Sequence, residues 1–133
     1  MSLRKGVVKL DIQENAYVLV YHKFLDIGSG PSIGLYLYNT EILRFDCFSK
    51  NKGHYHIFNK KNNGRIYFTE QIVAEQIDKT ANELTNNIKS YLAMYHQKKI
   101  KEFIFDQNRL ASKIAEAKQI LLDYEAKFYA AKR

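Results

Sequence analysis

The sequence predicts an α+β fold: a curved antiparallel meander of about six strands over residues 5–69, then two long helices over about 70–96 and 99–132. Three observations predict it. Up to Thr69, apolar and aromatic residues alternate in short runs divided by turn-forming residues, the period of half-buried strands. From Thr69 to Arg133 there is neither Pro nor Gly, and apolar residues recur at helical spacing. The connections between the early runs are short, which suits antiparallel neighbours, because parallel strands need long crossovers.

The first run, Val7 to Ile12, alternates, and Glu14-Asn15 offers a turn. Ala16 to Phe24 is a β-branched and aromatic second strand. Asp26-Ile27-Gly28-Ser29-Gly30-Pro31 reads as a loop by composition and holds the only Pro. Ser32 to Tyr38 and Glu41 to Phe48 are the third and fourth strands, with Asn39-Thr40 as the hairpin between them. Lys50 to Gly53 turns the chain into a fifth strand, His54 to Asn59. Asn62-Asn63-Gly64 is a tight-turn signal, because Asn and Gly accept positive φ, and Arg65 to Thr69 is the sixth strand.

Thr69 is placed to cap the first helix, along which Val73, Ile77, Leu84, Ile88, Tyr91 and Tyr95 follow roughly 3.6-residue spacing. The last segment carries a heptad stripe of Ile100, Phe103, Gln107, Leu110, Ile114, Ala117, Leu121, Tyr124, Phe128 and Ala131. Such a stripe keeps one seam turned toward a partner. A break near His96 to Lys99, or a cap at Asp106, gives two helices. Unbroken, the helix would run roughly 90 Å at 1.5 Å per residue.

A chain of 133 residues suits one domain, 1–133, with a sheet half at 5–69 and a helical half at 70–133. Hydrophobic content of 46% and aromatic content of 14% belong to a folded chain. A single Cys and no visible secretory signal lead to the expectation of a reducing cytoplasm. No apolar run reaches the ~18 residues of a membrane-spanning helix, so no membrane partner is expected. The net charge of +7 points to an anionic partner. Between Ser49 and Thr69 lie Lys50, Lys52, Lys60, Lys61 and Arg65, and no acid.

That basic segment contains His54-Tyr55-His56. In a strand the two imidazoles share a face and Tyr55 takes the other. Two groups titrating near neutrality can bind a metal, share acid–base work or hold an anion. For metal, the pair gives two nitrogens and Asp46 on the adjoining strand could add a carboxylate, but stronger zinc spacings are absent. The expectation is therefore no metal and no cofactor. Cys47, a lone Cys on a strand between Phe45 and Phe48, reads as an apolar filler before it reads as a nucleophile. Gly28-Ser29-Gly30-Pro31 lacks the following helix of a phosphate-binding loop. Metal-free phosphodiester cleavage needs a base, an acid and cations for the developing charge. His54 and His56 with Asp46 are the candidate catalytic residues, and Lys50, Lys52, Tyr55, Arg65 and Tyr67 the candidate contacts to RNA. The plainer reading of the pair is two ordinary strand residues, one of them satisfied by Asp46 or a backbone carbonyl. His22 and His96 read as structural or surface residues.

The residue order in this block resembles the small bacterial TumE-like toxin family. The matching residues are Phe45-Asp46, Lys52-Gly53, His54-Tyr55-His56, Tyr67-Phe68 and the helix beginning at Glu70, over roughly residues 33–90. The resemblance implies a curved antiparallel sheet with a helix, in a toxin whose active face is covered by a separate antitoxin protein. Tyr55 stands where that family usually has a basic residue, and the heptad tail runs beyond its compact members. A related uncharacterised cytoplasmic family with the same sheet fits the same residues. The leading expectation is a protein whose histidine face binds RNA and could cleave it. It would form a homodimer through Ile100, Phe103, Leu110, Ile114, Leu121, Tyr124 and Phe128. The alternative is a non-catalytic interaction protein whose heptad helix is the working surface.

Overall fold

The computed structural model describes residues 3–26, 28–59 and 64–128. Six strands form one antiparallel sheet in chain order: β1 (Leu3–Gln13), β2 (Ala16–Leu25), β3 (Gly28–Leu37), β4 (Thr40–Asp46), β5 (His54–Ile57) and β6 (Ile66–Tyr67). Four helices follow: α1 (Val73–Asn86), α2 (Ile88–Leu92), α3 (Lys98–Lys101) and α4 (Gln107–Phe128). The fold is α+β, a meander followed by helices.

Tight turns set the register. Gln13 opposes Ala16 across Glu14-Asn15, and Leu37 opposes Thr40 across Tyr38-Asn39. Tyr38 and Asn39 have φ of 53° and 62°, the left-handed pair that a two-residue hairpin matched to strand twist demands. One loop in the sequence reading is a strand. Gly28 opposes Leu25 and Gly30 opposes Lys23, so Gly28 to Pro31 extends β3. The glycine at 30 serves a close approach rather than a turn, since a Cβ there would lie 2.2 Å from the Cys47 carbonyl oxygen. The Asn62-Asn63 turn signal and Lys60-Lys61 lie outside the described residues.

Strand alternation divides the sheet into two faces. Val18, Val20, Ile33, Leu35, Leu43, Phe45 and Ile57 point one way and are buried. They form one core with Val73, Ile77 and Leu84 of α1 and Leu110, Ile114, Ala117 and Leu121 of α4. Burying each large aliphatic side chain contributes about 1.5–3 kcal/mol, so this layer is the main source of stability.

The helical half corrects three expectations. The first predicted helix is broken at Asn87, whose φ and ψ of −118° and 15° leave the helical region. Two successive Asn residues favour side-chain hydrogen bonds over helix continuation, and Asn87 Nδ2 donates to Glu83. Thr69 is not the cap, because α1 begins at Val73 after Ile72. The second predicted helix is interrupted between α3 and α4. The Asp106 cap is present: the Arg109 amide donates to its Oδ1 at 3.1 Å.

The heptad stripe packs within the single chain. Ile100, Leu110, Ile114 and Leu121 are 2% exposed or less within the single chain. Phe103 meets Tyr38 at 5.9 Å between ring centroids, and Phe128 meets His22 at 4.8 Å. Tyr124 donates a hydrogen bond to the Gly6 carbonyl at 2.6 Å. The seam that the sequence offered to a second copy lies against the chain's own sheet and α1. Gly6 itself sits at a bulge in β1 with φ +64°, and a Cβ there would lie 2.7 Å from Tyr124 Oη.

Candidate functional site

The other face of the sheet carries polar residues, and register places them in rows. Tyr21, Ser32, Asp46, His54 and Tyr67 are successive partners across β2, β3, β4, β5 and β6. The neighbouring row sets Arg44 opposite His56. The two-residue period thus puts the Asp and both histidines on one face, and antiparallel pairing closes the sequence gap between them.

Asp46 is the hub. It is completely buried. Its Oδ1 accepts from Ser32 Oγ at 2.6 Å, and its Oδ2 lies 3.3 Å from Arg44 Nε, 3.2 Å from His54 Nε2 and 3.7 Å from His56 Nε2. Burial alone would push the carboxyl upward. The His54 hydrogen bond, the Lys23 charge, the Ser32 hydrogen bond and the Arg44 charge outweigh it and hold Asp46 below the usual carboxylate range. Arg44 is shared with Glu41 at 3.2 Å. Burial pulls Lys23 downward, with the Asp46 charge opposing it. The site is therefore an ionised carboxylate enclosed by donors.

The two rings are held from several sides. His54 Nδ1 lies 2.7 Å from the Lys52 carbonyl oxygen. A carbonyl only accepts, so Nδ1 carries a proton there. His54 and His56 stand edge to face at 4.9 Å, Phe48 flanks His54, and Phe58 stacks flat on His56 at 5.4 Å. Both histidines are under 9% exposed. Tyr21 is buried beneath the row, with Arg4 over its ring at 4.4 Å. Burial pushes its phenol upward, and its Oη has no hydrogen-bond partner among the described residues.

Outside this hub a cavity of about 270 Å³ opens over His54, lined by Phe48, Asn51, Lys52, Arg65 and Tyr67. Its size lies just under the roughly 300–1,000 Å³ of small-molecule sites. Among the described residues, its Lys and Arg lining is Lys52 and Arg65, with no acid. Tyr67 is 55% exposed and presents its ring at the rim. A larger cavity of about 820 Å³ lies elsewhere, between the β1–β2 hairpin and the start of α4. Its charges are mixed, with Lys9, Arg109 and Lys113 beside Asp11 and Glu14, and it contains no histidine.

A family model for a domain of unknown function, DUF7700, matches residues 3–121. The chain belongs to the DUF7700 family. No curated protein matches it, and no solved structure does. The DUF7700 match spans all six strands, so the hub and its cavity belong to the family domain.

Of the residues singled out in the sequence, His54, His56 and Asp46 meet in one cluster, and Lys52, Arg65 and Tyr67 join His54 at the cavity. Tyr55 does not join them. It stacks on Phe45 at 5.0 Å within the helix-side core, as alternation requires. Lys50 is exposed in the turn and does not line the cavity. Cys47 is buried with Sγ 3.5 Å from Thr80 Oγ1, on the side away from the histidines. His22 is buried against Phe24 and Phe128, and His96 is exposed. Sequence reasoning missed Ser32, Arg44, Tyr21 and Lys23. Arg44 was readable, since a residue two before Asp46 shares its face. Ser32 was not, because its position depends on the β3–β4 register.

Proposed function

We propose that this face binds a phosphate-bearing partner, RNA being the one best matched to its residues, in the cavity over His54. The convergence of Lys52, Arg65 and Tyr67 on that cavity carries the reading. They come from the turn before β5, the segment before β6 and β6 itself, and together they set two cations beside an exposed aromatic ring. Phosphate oxygens need charge-assisted donors, and an exposed ring provides a stacking surface for an unpaired base. A net charge of +7 adds long-range attraction. A toxin of the TumE-like kind would present this same face to its antitoxin.

Cleavage is the enzymatic extension of this reading. It would use His54 and His56 as acid and base, and for that their Nε2 atoms would have to leave Asp46. The interaction-protein alternative has less support, because the helical stripe it relies on is buried within the chain.

The test is fluorescence anisotropy with a short single-stranded RNA, over a series of salt concentrations. Wild type should bind with an affinity that falls as salt rises, and Lys52→Ala with Arg65→Ala should weaken it at least tenfold. Equal binding by the double variant, or no binding at low salt, would remove the reading. Gel analysis of the same RNA after incubation reports whether cleavage follows binding.

A further inference from the structure

We propose that Asp46, His54 and His56 form a binding site for one divalent transition-metal ion of the zinc type. Their ligand atoms, one carboxylate oxygen and two ring nitrogens, lie within 4.8 Å of one another. The Asp46 Oδ2 to Nε2 separations are 3.2 Å for His54 and 3.7 Å for His56. A tetrahedral ion with bonds of roughly 2.0–2.1 Å holds neighbouring ligands about 3.3 Å apart. The two carboxylate–imidazole separations are already near that spacing, and the two ring nitrogens must draw together for one ion to take all three.

The surroundings of His54 and Asp46 favour an ion over chance proximity. A metal-bound histidine almost always donates its other ring N–H to a carbonyl or carboxylate, which fixes the ligating nitrogen. His54 does this through Nδ1 to the Lys52 carbonyl at 2.7 Å. With Nδ1 turned to the Lys52 carbonyl, Nε2 is the His54 nitrogen that faces Asp46 Oδ2, and His56 Nε2 faces the same oxygen. Three potential ligand atoms thus converge on one point, where a proton or a metal ion can stand among them. Asp46 Oδ1 is anchored by Ser32 Oγ at 2.6 Å, which leaves Oδ2 facing the rings. Two imidazoles and a carboxylate are a donor set that suits zinc and its neighbours.

Arg44 and Lys23 oppose a cation here. Arg44 is drawn toward Glu41 as well as Asp46, at 3.2 Å and 3.3 Å, so its charge is shared between two carboxylates. Burial favours the neutral form of Lys23. Three protein ligands leave a further coordination position, as in zinc sites that bind water or substrate. The ion site shares His54 with the anion cavity, yet each stands without the other.

The experiment uses the full chain, stripped with a chelator and then titrated with Co2+. Visible absorption reports coordination geometry, and Zn2+ displacement reports affinity. The expected result is one Co2+ per chain in a low-symmetry four- or five-coordinate spectrum, displaced by one Zn2+. His56→Ala should weaken binding at least tenfold, and His96→Ala should leave it unchanged. Should the His56 variant fail to fold, wild-type ring 15N spectra decide: Zn2+ must shift the His54 and His56 nitrogens and leave His96 in place. No ion retained at tenfold molar excess, or shifts confined to His96, would overturn the proposal. RNA binding by the chelated protein, measured in parallel, reports on the anion cavity alone and keeps the two failures apart.

Discussion

Phe45 and Asp46 are consecutive on β4, and their side chains leave opposite faces of the sheet. Phe45 enters a core of aliphatic and aromatic side chains beneath the helices, stacked on Tyr55 and edge-on to Tyr91. Asp46 enters a cluster of hydroxyl, guanidinium and imidazole groups built from the strands alone. Both are 1% exposed or less. The difference teaches where each face gets its order. The first gains from removing apolar surface from water. The second gains little net energy, because burying charges costs about as much as their pairing returns. A sheet that needs only stability would put apolar residues there. Stability alone therefore gives this face little reason to be polar.

Substitutions on the two faces should separate these sources of order. Asp46→Ala leaves Arg44 and two imidazoles without their shared acceptor and should destabilise by about 3–5 kcal/mol, read from urea unfolding. Phe45→Ala should cost a similar ~3–5 kcal/mol through its cavity, so magnitude alone will not distinguish the faces. Acid dependence will. Asp46 is held below its ordinary value of 3.8. Its ionised form thus contributes stability that is full above about pH 4 and drains as pH falls toward the folded value. Phe45→Ala should keep that acid limb, and Asp46→Asn should flatten it; a limb unchanged in Asp46→Asn would mean the cluster does not hold the carboxylate ionised.

Smaller effects sharpen the same contrast. Gly6→Ala meets both a positive φ and Tyr124, and should cost about 1–2 kcal/mol by strain and clash. Its thermal midpoint would drop while the polar face keeps its spectra. Asp106→Ala removes the α4 cap, for about 1 kcal/mol. Lys52→Ala and Arg65→Ala, on exposed residues, should change stability by about 0.5 kcal/mol or less while weakening RNA binding.

The sheet was legible because alternation and turn residues act locally. The Asn15 and Asn39 turns and the order of six strands follow from runs a few residues long. Gly28 to Pro31 failed for an instructive reason: glycine there answers a contact with Cys47, which sequence proximity does not reveal. The helix breaks at Asn87 and before Asp106 come from side-chain hydrogen bonds that compete with helical spacing. The heptad stripe is legible as an apolar seam, but period alone cannot tell a neighbouring sheet from a second chain, and within this chain the seam packs on the sheet and α1. At the site, His54 and His56 were legible from i, i+2 spacing, and Asp46 from the hairpin that joins β4 to β5. Ser32 and Tyr21 required the register of the central strands.

The most direct test of the account is to map where a phosphate-bearing ligand lands. Backbone and histidine ring resonances would be followed as a short single-stranded RNA is titrated into the 15N-labelled protein. The account predicts shifts at Asn51, Lys52, His54, Arg65 and Tyr67, with α1 and α4 undisturbed. Shifts confined to the cavity around Lys9, Arg109 and Lys113, or none at low salt, would contradict it.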